Sequence, residues 1–190
     1  LSPYVRLLTA GFIVLGPGSA TPFVVNALLM SGAAVFTALI TSRLFGPVGG
    51  WLAGCAFVSS ALVIFFSGLT VKTNAELFFI AGSSYCFIRF LDVAGLWRLF
   101  LSLFLLGLAS IDRNNYVVVL LPYAVLAWKH GFPDQGWVAK LQRMLFAGLC
   151  ALALVGSLSG WQADSVEQPF LSPVGLNFYV GNSPESRGTY

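Results

Sequence analysis

Charge is what this chain has least of. Asp, Glu, Lys and Arg make up 9% of its residues, against about a quarter in soluble domains. With 57% hydrophobic residues and a mean hydropathy of +0.84, that shortage excludes an ordinary soluble domain. The formal charge of +3 is too small and too scattered to hold a nucleic acid, so no nucleic-acid partner is expected. Cys55, Cys86 and Cys150 fall inside apolar runs without CxxC or Cys/His spacing, which points to neither a disulfide nor a zinc site. The one histidine, His130, follows Lys129 at the end of an apolar run and reads as a solvated helix end. No P-loop, GxGxxG, HExxH or GxSxG occurs, so soluble nucleotide and hydrolase chemistries have no support and no cofactor is expected. The chain opens on Leu1 rather than Met and closes within a polar segment; it reads as an internal piece of a longer protein.

What is present is a succession of apolar runs with almost all of the ionisable residues at their ends. Those ends sort onto two sides. One carries Arg43, Arg89, Arg98, Lys129, Lys140 and Arg143, the positive-inside signature of a multi-pass membrane protein. The other carries fewer cations in a denser polar set, Lys72, Thr73, Asn74 and Glu76, then Asp112, Arg113, Asn114 and Asn115. Charge at membrane depth is costly and marks cavities and substrate paths, so the second set holds the candidate site.

The expected fold is all-α, a polytopic transmembrane helix bundle with a short interfacial helix and an outer loop. Ser2-Pro3 is an N-cap with proline at the first helical position, and Gly16-Pro17-Gly18 ends the short helix at Leu15. At about 1.5 Å per residue it falls short of the roughly 30 Å hydrocarbon core. Six spans follow, at about residues 21–45, 49–67, 74–91, 97–111, 115–129 and 141–161, and an outer loop fills 162–190. Gly46-Pro47 stops the first span, and Gly50 and Gly54 give the second a small-xxx-small packing face. The spans on either side of 112–115 are too short to cross upright, and the later one contains Pro122. The turn between them is therefore expected to sit below the outer membrane surface, lining a wet cavity.

Arg113 is read either as an interfacial anchor or as an anion clamp, because guanidinium binds phosphate oxygens in a fork and stays charged at any depth. Lys72 stands beside the start of the next helix, where Thr73 and Asn74 are possible caps and anions are favoured. Glu76, four residues on, offers Lys72 an intrahelical ion pair as the structural alternative. Asp112 and Glu76 do acid–base work only if the fold brings them together.

The stretch 4–46, closing on Arg43-Leu44-Phe45-Gly46, resembles the short helix and first following span of GT-C glycosyltransferases. Ile111-Asp112-Arg113-Asn114-Asn115, followed by Leu121-Pro122, resembles their fifth-to-sixth helix turn. Asn177-Phe178-Tyr179-Val180-Gly181-Asn182 is similar to an outer-loop motif of bacterial members of the dolichyl-phosphate-mannose–protein mannosyltransferase-like family. The resemblance implies transfer of a sugar from a polyprenyl-phosphate carrier to a glycan, lipid or protein acceptor outside the cell inner membrane. It implies Arg113 and Lys72 as donor-phosphate contacts, and Thr73, Glu76, Asp112, Asn114, Asn115, Asn177 and Asn182 as substrate-site candidates. The family's main catalytic acid lies in a first outer loop that would precede Leu1. A second, often acidic, family position falls at Lys72-Thr73, where a protonated lysine suits phosphate rather than base catalysis. The rival class is a transporter or flippase for lipid-linked sugars, which would show an internal repeat and charges at mid-span. A non-catalytic membrane assembly subunit, which needs no recessed cationic turn, is a third.

Overall fold

Proline and glycine punctuate the helices. In the computed structural model, which describes residues 2–159 except 17, 19, 69–71, 133 and 134, and not the side chains of 66, 67, 114, 158 and 159, all regular structure is helical. The first helix, α1 (Pro3–Leu15), begins where Ser2 Oγ accepts from the Tyr4 amide at 3.2 Å and ends at Gly16, whose φ is 86°. The second, α2 (Thr21–Ser59), is two helices meeting at Gly46, which has φ 82° and ψ 172°. Pro47 disfavours helical backbone at Gly46 and then opens the second arm. That arm folds back on the first, with Gly50 against Ser42 and the Ala38 carbonyl, and Gly54 against Ala38. The small-residue face thus serves a hairpin within α2.

Residues 49–67 do not form one uninterrupted helix. Ser60 is extended (φ −65°, ψ 126°) between the second arm and α3 (Ala61–Ser67). From there α4 (Thr73–Asp92) and α5 (Leu96–Asp112) run antiparallel as the centre of the bundle. The polypeptide continues as a 3₁₀ helix (Asn114–Val119), α6 (Leu120–Leu126) and a π turn (Ala127–Gly131), and closes with α7 (Trp137–Ser159). The outer loop expected at 162–190, with Asn177 and Asn182, lies outside the described residues.

Helical periodicity places the core. On α4, Ala75, Phe79, Ser83, Phe87 and Phe90 form one buried stripe at three- and four-residue steps; on α5, Leu99, Ser102, Leu106 and Ala109 form its counterpart. Tyr123 stacks on Phe87 with centroids 3.9 Å apart, and its hydroxyl donates to Ser84 Oγ at 3.0 Å. Ser83 Oγ donates to the Ser102 carbonyl at 2.9 Å, tying α4 to α5. Gly82 faces Phe36 and Leu105. A second buried polar contact, Tyr4 hydroxyl to Asn26 Oδ1 at 3.0 Å, docks α1 on α2.

Two helices, Thr21–Ser59 and Trp137–Ser157, are long and apolar enough to cross a membrane. Among the described residues, 33% and 11% of their most apolar windows are buried. Their outward faces carry Phe45, Trp51, Phe146, Leu149 and Leu152, all exposed.

Candidate functional site

The two ends of the bundle differ chemically. At one, Arg43 pairs with Asp92, the Arg143 guanidinium lies 5.6 Å from the centre of the Phe132 ring, and Lys140 donates to the Trp128 carbonyl at 3.4 Å. At the other, the start of α4 meets the end of α5 and the 3₁₀ helix, and the candidate residues gather there.

Lys72 is the N-cap of α4 and is exposed. Its Nζ donates to the Asp112 carbonyl at 3.1 Å, supplying a cation to one of the carbonyls left open at the end of α5. Glu76, in the first turn of α4, is fully buried. Its Oε2 lies 3.1 Å from Arg113 Nε in an ion pair and accepts a hydrogen bond from the Tyr116 hydroxyl at 3.2 Å, while Oε1 has no hydrogen-bond partner. Arg113 is the C-cap of α5, extended at φ −144° and ψ 110°, with its side chain 54% exposed. Asp112 is half-buried and its Oδ2 is likewise buried without a partner.

The intrahelical Lys72–Glu76 ion pair is not formed. Lys72 precedes the helix and reaches sideways to α5, while Glu76 faces inward to Arg113. The capping reading also changes, because no side chain caps α4: Thr73 is half-buried at its first position and Asn74 is fully buried. Asn115 is exposed on the 3₁₀ helix, and Asn114 opens that helix. Lys72, Glu76, Asp112 and Arg113, drawn from two distant turns, are thus brought together; Asn177 and Asn182 lie outside the described residues.

Tyr116 is the participant that sequence reasoning missed. Its signal was its place three residues after Arg113, one turn along the 3₁₀ helix, where residues at that spacing share a face. Two cations and two carboxylates cancel formally, but Glu76 is withdrawn and Asp112 half-buried, while both cations are exposed. The outward face of the cluster is therefore cationic and suited to an anion. Among the described residues, no group of three or more His, Cys, Asp or Glu side chains is placed to hold a metal ion. An apolar groove of about 470 Å³ runs between α5, the 3₁₀ helix and α7, lined in part by Gly107, Ser110, Ile111, Val117 and Val155. The chain matches no family model, no curated protein and no solved structure.

Proposed function

We propose that the protein is a multi-pass glycosyltransferase of the cell inner membrane that moves a sugar from a polyprenyl-phosphate carrier to a glycan, lipid or protein acceptor on the non-cytoplasmic side. The observation that carries the reading is the meeting of Lys72 and Arg113 at one end of the bundle, Lys72 on the Asp112 carbonyl and Arg113 on a Glu76 that is turned inward. Such a donor needs cations for a phosphate that becomes the leaving group, and an apolar channel for its tail. The groove beside Ile111 and Val117 offers that channel. The depth fits as well. The 17 residues of α5 span about 25 Å, less than the roughly 30 Å hydrocarbon core, so an upright α5 brings Arg113 below the far surface.

In this mechanism Arg113 and Lys72 hold the carrier phosphate and stabilise the charge it gains as the anomeric bond breaks. Glu76 has no exposed surface and does not reach an acceptor.

The test is transfer from a radiolabelled polyprenyl-phosphate sugar by the full-length protein in sealed proteoliposomes. Wild type should release polyprenyl phosphate, and Lys72→Ala and Arg113→Lys should each slow release at subsaturating donor. Movement of intact donor across the bilayer without sugar release would overturn the reading in favour of a flippase.

A further inference from the structure

Arginine frequently closes on a carboxylate through two parallel N–H···O bonds that satisfy both partners. Arg113 does not. It touches Glu76 through Nε alone and at one oxygen alone, leaving Glu76 Oε1 buried without a hydrogen bond. Oε2 is held on its other side by the Tyr116 hydroxyl, so the carboxylate is fixed from the 3₁₀ helix as well as from α4. Among the described residues, the two η nitrogens of Arg113 have no partner, and just over half of the side chain is exposed. Burying a carboxylate is costly unless it is paired, so Glu76 cannot readily release the guanidinium to water.

We infer that Glu76, braced by Tyr116, is a positioning residue: it grips Arg113 by Nε and turns both η nitrogens outward as a two-pronged cradle for a phosphate. The inference rests on the anion-binding reading of Arg113 given above and adds the group that aims it. The order of the contacts explains the arrangement. The guanidinium is a rigid plane, so fixing Nε from behind sets the direction of the opposite edge. Without the grip, the side chain samples many rotamers, and binding must then restrict them.

The experiment uses the full-length protein in phosphatidylcholine nanodiscs, with farnesyl phosphate, farnesol and inorganic phosphate as probes. Glu76→Gln keeps the shape and one acceptor but removes the charge, and Tyr116→Phe removes only the brace. Both should weaken farnesyl phosphate binding, Glu76→Gln by about tenfold or more, and leave farnesol binding unchanged. Glu76→Asp, a methylene shorter, should draw the fork back and fail to rescue. Competition by inorganic phosphate would identify the phosphate group alone as the ligand; no competition would require the lipid-borne form, and both results support the cradle. Altered thermal stability with unchanged farnesyl phosphate affinity in Glu76→Gln and Tyr116→Phe would overturn the positioning role. If Arg113→Lys weakens binding while those two variants do not, only this inference fails. If wild type does not distinguish farnesyl phosphate from farnesol, the anion-binding reading falls with it.

Discussion

Two glycines show how sharply the demands on single residues differ along this chain. Gly46 holds φ 82° and ψ 172°, a region open almost only to glycine, and the reversal of α2 depends on it. Gly148 on α7 has no atom within 4 Å of where a Cβ would stand. Gly46→Ala should therefore lower stability by about 1–3 kcal/mol. Gly148→Ala, which improves helix propensity in open space, should be neutral or slightly stabilising. Thermal denaturation of both variants in one detergent checks the contrast, and equal midpoints would contradict the strain at Gly46. Gly46-Pro47 was legible as a stop because proline acts through its own ring and on the residue before it. The partner of Glu76 was not legible, since two candidates lie within reach along the chain and in space, and only packing chooses between them.

At the scale of elements, α4 is held to its neighbours by a polar thread through an apolar stripe. Ser83 Oγ donates to the Ser102 carbonyl, and the Tyr123 hydroxyl reaches Ser84 while its ring stacks on Phe87. These contacts are separable by substitution. Ser83→Ala and Tyr123→Phe should each cost about 0.5–1.5 kcal/mol, the net worth of one hydrogen bond. Tyr123→Ala also opens a cavity beside Phe87 and should cost about 3–5 kcal/mol. Denaturant titration of the three variants would show whether the ring outweighs the hydroxyl; similar losses for Tyr123→Phe and Tyr123→Ala would refute it. A tighter constraint lies between α5 and α7, where a Cβ on Gly107 would stand 2.6 Å from Val155 Cγ2. Gly107→Ala should push the helices apart and cost about 1–3 kcal/mol, and Val155→Ala should restore most of it. Failure of that rescue would remove the close approach as the cause.

The helical unit over residues 2–159 separates its polar ends. Arg43, Asp92, Lys140 and Arg143 gather at one, and Lys72, Glu76, Asp112 and Arg113 at the other. If the bundle spans the bilayer as proposed, the cation-rich end faces the cytoplasm. With Cys55, Cys86 and Cys150 replaced by alanine, a cysteine introduced by Asn115→Cys should react with an impermeant maleimide in intact cells. One introduced by His130→Cys, exposed on the π turn, should react only after permeabilisation. The reverse pattern would invert the topology and detach the cation cluster from the donor side.

The sequence by itself determined where several helices start and stop, which ends are polar, and which glycines of α2 lie at a packing face. Ser2-Pro3, Gly16, Gly46-Pro47, Gly50 and Gly54 all act through local torsions or through the size of their own side chains, so reading them needs no partner. The break at Ser60 carries no comparable punctuation, and over 114–131 Pro122 does not mark where 3₁₀ gives way to α and then to π helix. Tertiary structure also decided the pairings: Tyr4 with Asn26, Lys72 with the Asp112 carbonyl, and Glu76 with Arg113 and Tyr116. The physical reason is the rotation of each helix about its axis. One step along a helix turns a side chain by about 100°, so small differences in how α4 docks on α5 decide whether Glu76 faces Lys72, lipid or Arg113. That docking is settled by the interlocking of Phe79, Phe87, Leu106 and Ala109 across the whole interface, a sum over residues far apart in the chain.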